Sequence, residues 1–270
     1  MTHLRCLFAI LFGVLSFSSG FGDEPKSAPP KKLPVPGETF LIRDAPAFIM
    51  WPEEKLRKTP QPWVWYAPTL PGLPDEAERW MHEQFLAKGI AVAGIDVGES
   101  YGSPVGREKY TALYKELTEK RRFSRKPVML CRSRGGLMVL NWAVEHPESV
   151  GGIAGIYPVF DWRSWPGAAK AAPAYGLSAD ELEKRAKEQC PIERVQSLIE
   201  AKVPVFLIHG DADVVVPLEK NSAELQRRYE EAGARKLVEL IVPPGQGHNY
   251  WEGFFRCKEL VRFVDRESRK

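Results

Sequence analysis

The sequence predicts an α/β fold, a mostly parallel central sheet flanked by helices. Three observations carry this. Short β-branched or aromatic runs alternate with amphipathic segments. The later runs are apolar throughout, as strands buried on both faces are. Loops of the kind that hold reactive groups beyond the carboxyl ends of parallel strands follow several of these runs. The strands are expected at Ala47–Trp51, Trp63–Ala67, Ile90–Ile95, Val128–Cys131, Ile153–Tyr157, Val205–His209 and Val238–Val242, and the chain has no internal repeat.

The helices fall between them. Asp75–Lys88 places Ala77, Trp80, Met81 and Phe85 on one face, with Asp75 and Glu78 spaced as a capping box. Similar stripes run through Leu137–Glu145, Leu218–Ala232 and Phe254–Val264, the second carrying Leu218, Ser222, Leu225 and Tyr229.

The chain ahead of this alternation differs in composition. MTHLR carries positive charge, CLFAILFGVL is an uninterrupted apolar run, and SFSSGFG supplies small residues before Asp23. This predicts a secretory signal peptide over residues 1–22 and an exported protein, periplasmic or extracellular. A membrane anchor is the alternative, but Cys6–Leu15 is too short to span a bilayer unaided, so no stable membrane insertion is expected after processing. Residues 23–37, including PKSAPPKKLPVP, are expected to form a proline- and lysine-rich linker, leaving 38–270 as the folded domain.

Composition narrows the function classes. The 270 residues are 44% hydrophobic and 27% charged, enough for a full core. The 38 basic residues are interspersed with 35 acidic ones for a net charge of +3, which excludes a basic stripe and hence nucleic acid as a partner. Cys131, Cys190 and Cys257 are an odd number, so no disulfide framework is expected, although one bridge stays open. The five histidines show no HxxxH or HxxEH spacing and no phosphate-binding glycine loop appears, so neither metal nor cofactor is expected. Nothing in the composition fixes the oligomeric state.

The stretch MLCRSRGGLM runs from an apolar strand into a helix through a turn with Ser133 at its apex. Gly135 and Gly136 let that helix pack close to the sheet, and backbone N–H groups at its start can stabilise an oxyanion. Later, VFLI ends in His209-Gly210-Asp211-Ala212-Asp213, and after the last strand comes Gly247-His248. Serine, aspartate and histidine, each on the loop after a strand and in that chain order, suit nucleophile, orienting acid and general base.

These pieces resemble the α/β-hydrolase superfamily, in particular its dienelactone-hydrolase-like and prolyl-oligopeptidase-like branches. SRGG stands for the family's SxGG, HGDADVVVP for HGxxDxxVP and GQGH for GxGH, and the similarity runs from about Trp63 to the C-terminus. The resemblance implies an α/β-hydrolase fold and a triad of Ser133, His248 and Asp213. Asp211 competes as the acid, but Asp213 stands at the family's distance before Pro217, and Asp211 reads as a turn residue. His209 reads as a side chain satisfied within the sheet.

Departures from the family are equally specific. Cys131 stands where the family has glycine and reads as core. The family's HGG after the third strand is replaced by Ala67-Pro68-Thr69-Leu70; Pro68 has no N–H, which leaves Thr69 as one expected oxyanion donor and the backbone of Arg134 as the other. For the Arg134 side chain two readings stand side by side. Its neighbourhood resembles the GCSRxG elbow of glucuronoyl esterases, which implies a guanidinium at the oxyanion; otherwise it is a solvated arginine on the first helical turn. Asp96–Ser103 is similar to a DxxGxGxS loop, read as structural, with Glu99 and Tyr101 as candidate cleft residues.

A segment of about 158–194 is expected to form a short lid, with a helix capped by Ser178 and Glu181 and with Trp162, Trp165 and Tyr175 walling the substrate. The implied activity is a serine hydrolase acting on a small-molecule or glycan ester through an acyl-enzyme. A prolyl-oligopeptidase-like peptidase and a non-catalytic carbohydrate-binding protein on the same scaffold are the alternatives.

Overall fold

The computed structural model describes residues 31–270. The expected signal peptide and the linker up to residue 30 lie outside the described residues. Eight strands form one sheet: β1 (Glu38–Ile42), β2 (Ala45–Met50), β3 (Trp63–Ala67), β4 (Ala91–Ile95), β5 (Val128–Arg132), β6 (Gly152–Ile156), β7 (Val205–Ile208) and β8 (Val238–Ile241). Their spatial order is β1-β2-β4-β3-β5-β6-β7-β8. The β1–β2 and β2–β4 pairs are antiparallel and the rest are parallel, as an α/β-hydrolase sheet requires.

Ten helices follow in order among the described residues: α1 (Arg79–Ala87), α2 (Pro104–Lys115), α3 (Gly135–Ala143), α4 (Ala168–Ala171), α5 (Ala179–Lys184), α6 (Ala186–Gln189), α7 (Gln196–Glu200), α8 (Ser222–Glu231), α9 (Glu252–Phe255) and α10 (Lys258–Glu267). Each face of the sheet has its own core. Tyr110 and Leu113 of α2, Leu137–Leu140, Trp142 and Ala143 of α3, and Leu225 and Tyr229 of α8 cover one side. Met81 and Phe85 of α1 with Leu260, Phe263 and Val264 of α10 cover the other. The central strands are therefore buried on both faces, which explains their unbroken apolar sequences.

Local chemistry sets the element ends. Asp75 accepts from the N–H of Ala77 and Glu78 reaches back to the N–H of Asp75, the expected capping box. Ser178 and Glu181 cap α5 in the same way. The stripe expected over Phe254–Val264 is divided, because Cys257 leaves helical geometry and its Sγ accepts from the N–H of Leu260 to start α10. Strand β1 was not expected: its ETFLI has no fully buried residue, so its pattern is that of a sheet edge. It joins β2 through Arg43 and Asp44, with Arg43 at a φ of 54°.

The expected linker is in part folded. Lys31 pairs with Asp96 and donates to the carbonyl of Leu70 at 3.3 Å, and Leu33 and Val35 pack against the α1/α10 core. The three cysteines are free and buried, and Cys131 reads as core: its register partners are Ala67 and Gly155, whose small size leaves room for a thiol. Among the described residues no helix is long and apolar enough to cross a membrane.

The contact that positions the site is the approach of α3 to the sheet. A Cβ on Gly135 would lie 2.4 Å from the carbonyl oxygen of Ala67, and one on Gly136 2.4 Å from that of Val159. Both obstacles are backbone, so neither can swing away. Gly135→Ala is therefore expected to cost about 1–3 kcal/mol, and a urea melt will show it as a lower midpoint with an unchanged slope.

Candidate active site

Strand β5 ends at Arg132 and α3 begins at Gly135, so Ser133 and Arg134 are the whole connection. Ser133 takes a φ of 49°, the left-handed region that costs a non-glycine residue energy and recurs at functional turns. The turn is held by its neighbours. The N–H of Ser133 donates to the carbonyl of Ile156 at 3.0 Å, and its own carbonyl accepts from Val159 at 2.8 Å and Gly136 at 3.0 Å. The backbone is thereby fixed on β6 and the side chain is left to project from the apex.

Three loops bring the expected residues together. Ser133 Oγ lies 2.8 Å from His248 Nε2, and His248 Nδ1 lies 2.7 Å from Asp213 Oδ2. Asp213 Oδ1 accepts from the N–H groups of Val215 at 3.0 Å and Val216 at 2.8 Å. With a carboxylate on Nδ1, the imidazole carries its proton there and presents a basic Nε2 to the serine. Burial alone would raise the Asp213 carboxyl, but the hydrogen bonds from His209, His248 and the Val216 N–H reverse this and hold it well below the usual range. Asp211 instead accepts from the N–H of Gly245 at 2.6 Å, stitching its loop to the one that carries His248.

Ser133 and His248 open into a cavity of about 340 Å³ lined by Pro68, Leu70, Leu73, Arg132, Arg134 and Tyr250 among others. Tyr157, at a φ of 35°, packs its ring on the His248 imidazole with centroids 4.3 Å apart. Its phenol stays neutral, since burial raises its pKa well above the ordinary tyrosine value. Tyr250 is 68% exposed and stacks on Phe255 beneath it, at 5.7 Å between centroids and 17° between planes. Between these aromatics and α1 lies Arg132, its guanidinium 5.6 Å from the Tyr250 centroid and 3.3 Å from both Asp75 and Glu78. Burial raises the Glu78 carboxyl despite that guanidinium, and the hydroxyl of Tyr66 donates to it. Sequence reasoning passed over Arg132, Tyr157 and Tyr250; a charged residue closing an otherwise apolar strand was the available signal for the first.

The oxyanion candidates are placed as follows. Among the described residues the N–H groups of Arg134 and Thr69 donate to no protein acceptor. Thr69 is fully buried; its hydroxyl donates to the carbonyl of Ile95, and its methyl sits over Gly94, where a Cβ would meet it at 2.6 Å. The Arg134 guanidinium pairs with the carboxylate of Glu99 and lies 4.9 Å above the Trp165 ring. Both its charge and its flat face are thus engaged, unlike either of the two expected states.

The expected aromatic wall is not formed. Trp162 is fully buried in the α2/α3 core. The Tyr175 hydroxyl donates to the carbonyl of Tyr101 at 2.8 Å and accepts from Asn141 at 3.1 Å, so it faces inward. Trp165 packs under the Arg134 guanidinium and edge-on against Tyr101, at 6.0 Å between centroids, and does not line the cavity. No cavity-lining residue comes from 158–194; that segment packs along the flank of the sheet, with Leu182, Cys190 and Ile192 in the core.

The sequence pattern of the prolyl oligopeptidase family matches residues 109–266, more than half of the chain and the part that holds Ser133, Asp213 and His248. No curated protein matches the chain. Among solved structures, Est1E from Butyrivibrio proteoclasticus is similar with a TM-score of 0.61 at 17% identity, over 87% of this chain and 99% of that one. A ferulic acid esterase gives 0.62 at 15%, over 86% and 97%. Porphyromonas gingivalis dipeptidyl peptidase 4 gives 0.64 at 16%, over 86% of this chain but 35% of its own. At these identities the likeness to the solved structures is one of fold.

The depressed carboxyl of Asp213 fixes a sign for stability. A carboxyl whose acidity is greater in the folded state stabilises above its unfolded pKa of about 3.9, and that contribution fades as pH falls further, through its folded value. Asp213→Asn should therefore flatten the loss of stability below about pH 4. Urea melts at pH 3 and pH 6 measure it; equal slopes with pH in the two proteins would refute the assignment.

Proposed function

Since the chain belongs to the prolyl oligopeptidase family, whose members are serine hydrolases, we propose that it cleaves a carboxylic ester through an acyl-enzyme. Ser133 is the nucleophile, His248 the general base and Asp213 the orienting acid. The observation that carries this reading is the continuous Ser133–His248–Asp213 hydrogen-bond line, at 2.8 and 2.7 Å.

Ser133 Oγ attacks the carbonyl carbon while His248 Nε2 takes its proton, and Asp213 stabilises the imidazolium. The backbone N–H groups of Arg134 and Thr69 hold the tetrahedral oxyanion. Collapse breaks the bond to the alcohol, which leaves with the proton from His248. Water then repeats the sequence on the acyl-serine, releasing the acid and restoring the serine hydroxyl.

An ester is favoured over a peptide by the cavity wall. Among the described residues its charged groups are two arginines, and no carboxylate lines it to receive a peptide's N-terminal ammonium. Pro68, Leu70, Leu73 and the open face of Tyr250 suit an apolar or aromatic acyl group, a chemistry in keeping with the ferulic acid esterase among the structural neighbours. The peptidase reading is supported by the family name and by the similarity to dipeptidyl peptidase 4. Export remains our reading of the N-terminal sequence, and a mature protein beginning near Asp23 is what terminal sequencing of secreted material should find.

Two experiments test the chemistry. Ser133→Ala and His248→Ala are each expected to lower kcat on an aryl ester by several orders of magnitude, with the double variant little worse, because the pair acts as a unit. Additive losses would remove the assignment, and faster cleavage of aminoacyl arylamides than of aryl esters would favour the peptidase. Arg134→Ala retains the backbone N–H and should keep kcat within about threefold; a fall of about a hundredfold or more would put the guanidinium on the oxyanion.

A further inference from the structure

The Asp213 carboxylate serves a second imidazole. His209 Nε2 lies 3.3 Å from Asp213 Oδ2, the same oxygen that His248 Nδ1 approaches at 2.7 Å, and 2.9 Å from the carbonyl of Val216. On the far side of its ring, His209 Nδ1 lies 2.8 Å from Ser222 Oγ at the start of α8. The His209 and Asp213 side chains and Ser222 are all buried. Because Nε2 faces two acceptor oxygens, it must carry a proton; Nδ1 of the neutral ring then accepts from the Ser222 hydroxyl.

Satisfying a buried histidine would need only Val216 and Ser222. The geometry does more. Val216 is also the residue whose N–H holds Asp213 Oδ1 at 2.8 Å, so His209 grips the acid loop at both the carboxylate and the peptide behind it. The N–H of His209 donates to the carbonyl of Ile241 at 3.0 Å, fixing it to the end of β8, from which the His248 loop departs. One side chain thus joins α8, β7, the acid loop and the carboxylate.

We propose that His209, its Nε2 proton fixed by Asp213 Oδ2 and the Val216 carbonyl and its ring oriented by Ser222, is a positioning residue that fixes the Asp213 carboxylate and lowers its pull on the His248 proton. The proposal rests on the triad reading above. The N–H of His209 shares the charge of Oδ2. Without it, more of that charge falls on His248, whose imidazolium becomes easier to form, so the acid limb of activity moves to higher pH. Among the described residues the titratable groups facing the Asp213–His248 pair are His209 from the end of β7 and Tyr157 from the end of β6; Asp211 is turned to Gly245.

The test is the rate of fluorophosphonate labelling of the full-length protein as a function of pH, which needs no knowledge of the substrate. Labelling of wild type and its loss in Ser133→Ala test the triad reading alone. His209→Gln places an amide N–H near the Nε2 position, whereas His209→Asn is too short to reach Oδ2. The asparagine variant is expected to label about tenfold more slowly, with the acid limb raised by about half a pH unit, and the glutamine variant should recover most of both. Ser222→Ala keeps the imidazole but removes the hydrogen bond at Nδ1 that orients its ring; a smaller shift in the same direction is expected, and it answers the question if the asparagine variant does not fold. An acid limb unmoved in Ser222→Ala and in every folded His209 variant, with rates tracking melting temperature, would overturn the proposal and leave His209 as a core residue.

Discussion

Everything at this site depends on how closely the backbone of α3 approaches the ends of β3 and β6. Two glycines permit it: a side chain at either position 135 or 136 would meet a carbonyl oxygen at 2.4 Å. With the helix seated so near, the two-residue connection from β5 has little freedom, and Ser133 is driven to a φ of 49°. The energy of that conformation is borne by the hydrogen bonds to Ile156, Val159 and Gly136. The exposed hydroxyl and the unoccupied N–H of Arg134 are two results of one packing constraint.

The parts of this arrangement most legible in the sequence are those where backbone geometry dictates residue type. Buried parallel strands require unbroken apolar runs, and the expected runs match seven of the eight strands to within two residues or so at each end. The turn at Ser133 requires glycines, and the loops after β7 and β8 carry their aspartate and histidine at fixed distances from the strand ends. The edge strand β1 escaped because half-covered residues show neither of the patterns that buried strands do.

Side-chain direction was much less legible. Trp162 and Tyr175 lie on the segment expected to cover the site, but an aromatic is as well suited to a core as to a substrate wall, and only the path of 160–176 across the α2/α3 flank decides between them. Arg132 shows the opposite case. Its charge is hidden at the end of an apolar strand because Asp75 and Glu78, far away in sequence, arrive with the capping turn before α1. The same box that starts a helix therefore also supplies counterions to the cavity wall, a coupling that no local pattern displays.

The seating of residues 31–37 bears on how this protein can be handled. Composition alone would place the start of the folded unit at residue 38 and treat everything before it as a tether. Yet Lys31 is pinned to Asp96 and to the carbonyl of Leu70, the latter in the strand-to-helix loop that forms one rim of the cavity. An affinity tag or fusion partner joined at residue 38 would strip a brace from that rim while leaving the sheet whole. Joining it upstream of residue 31 keeps the brace, so the choice of junction decides whether a recombinant protein carries this rim as it is seated here.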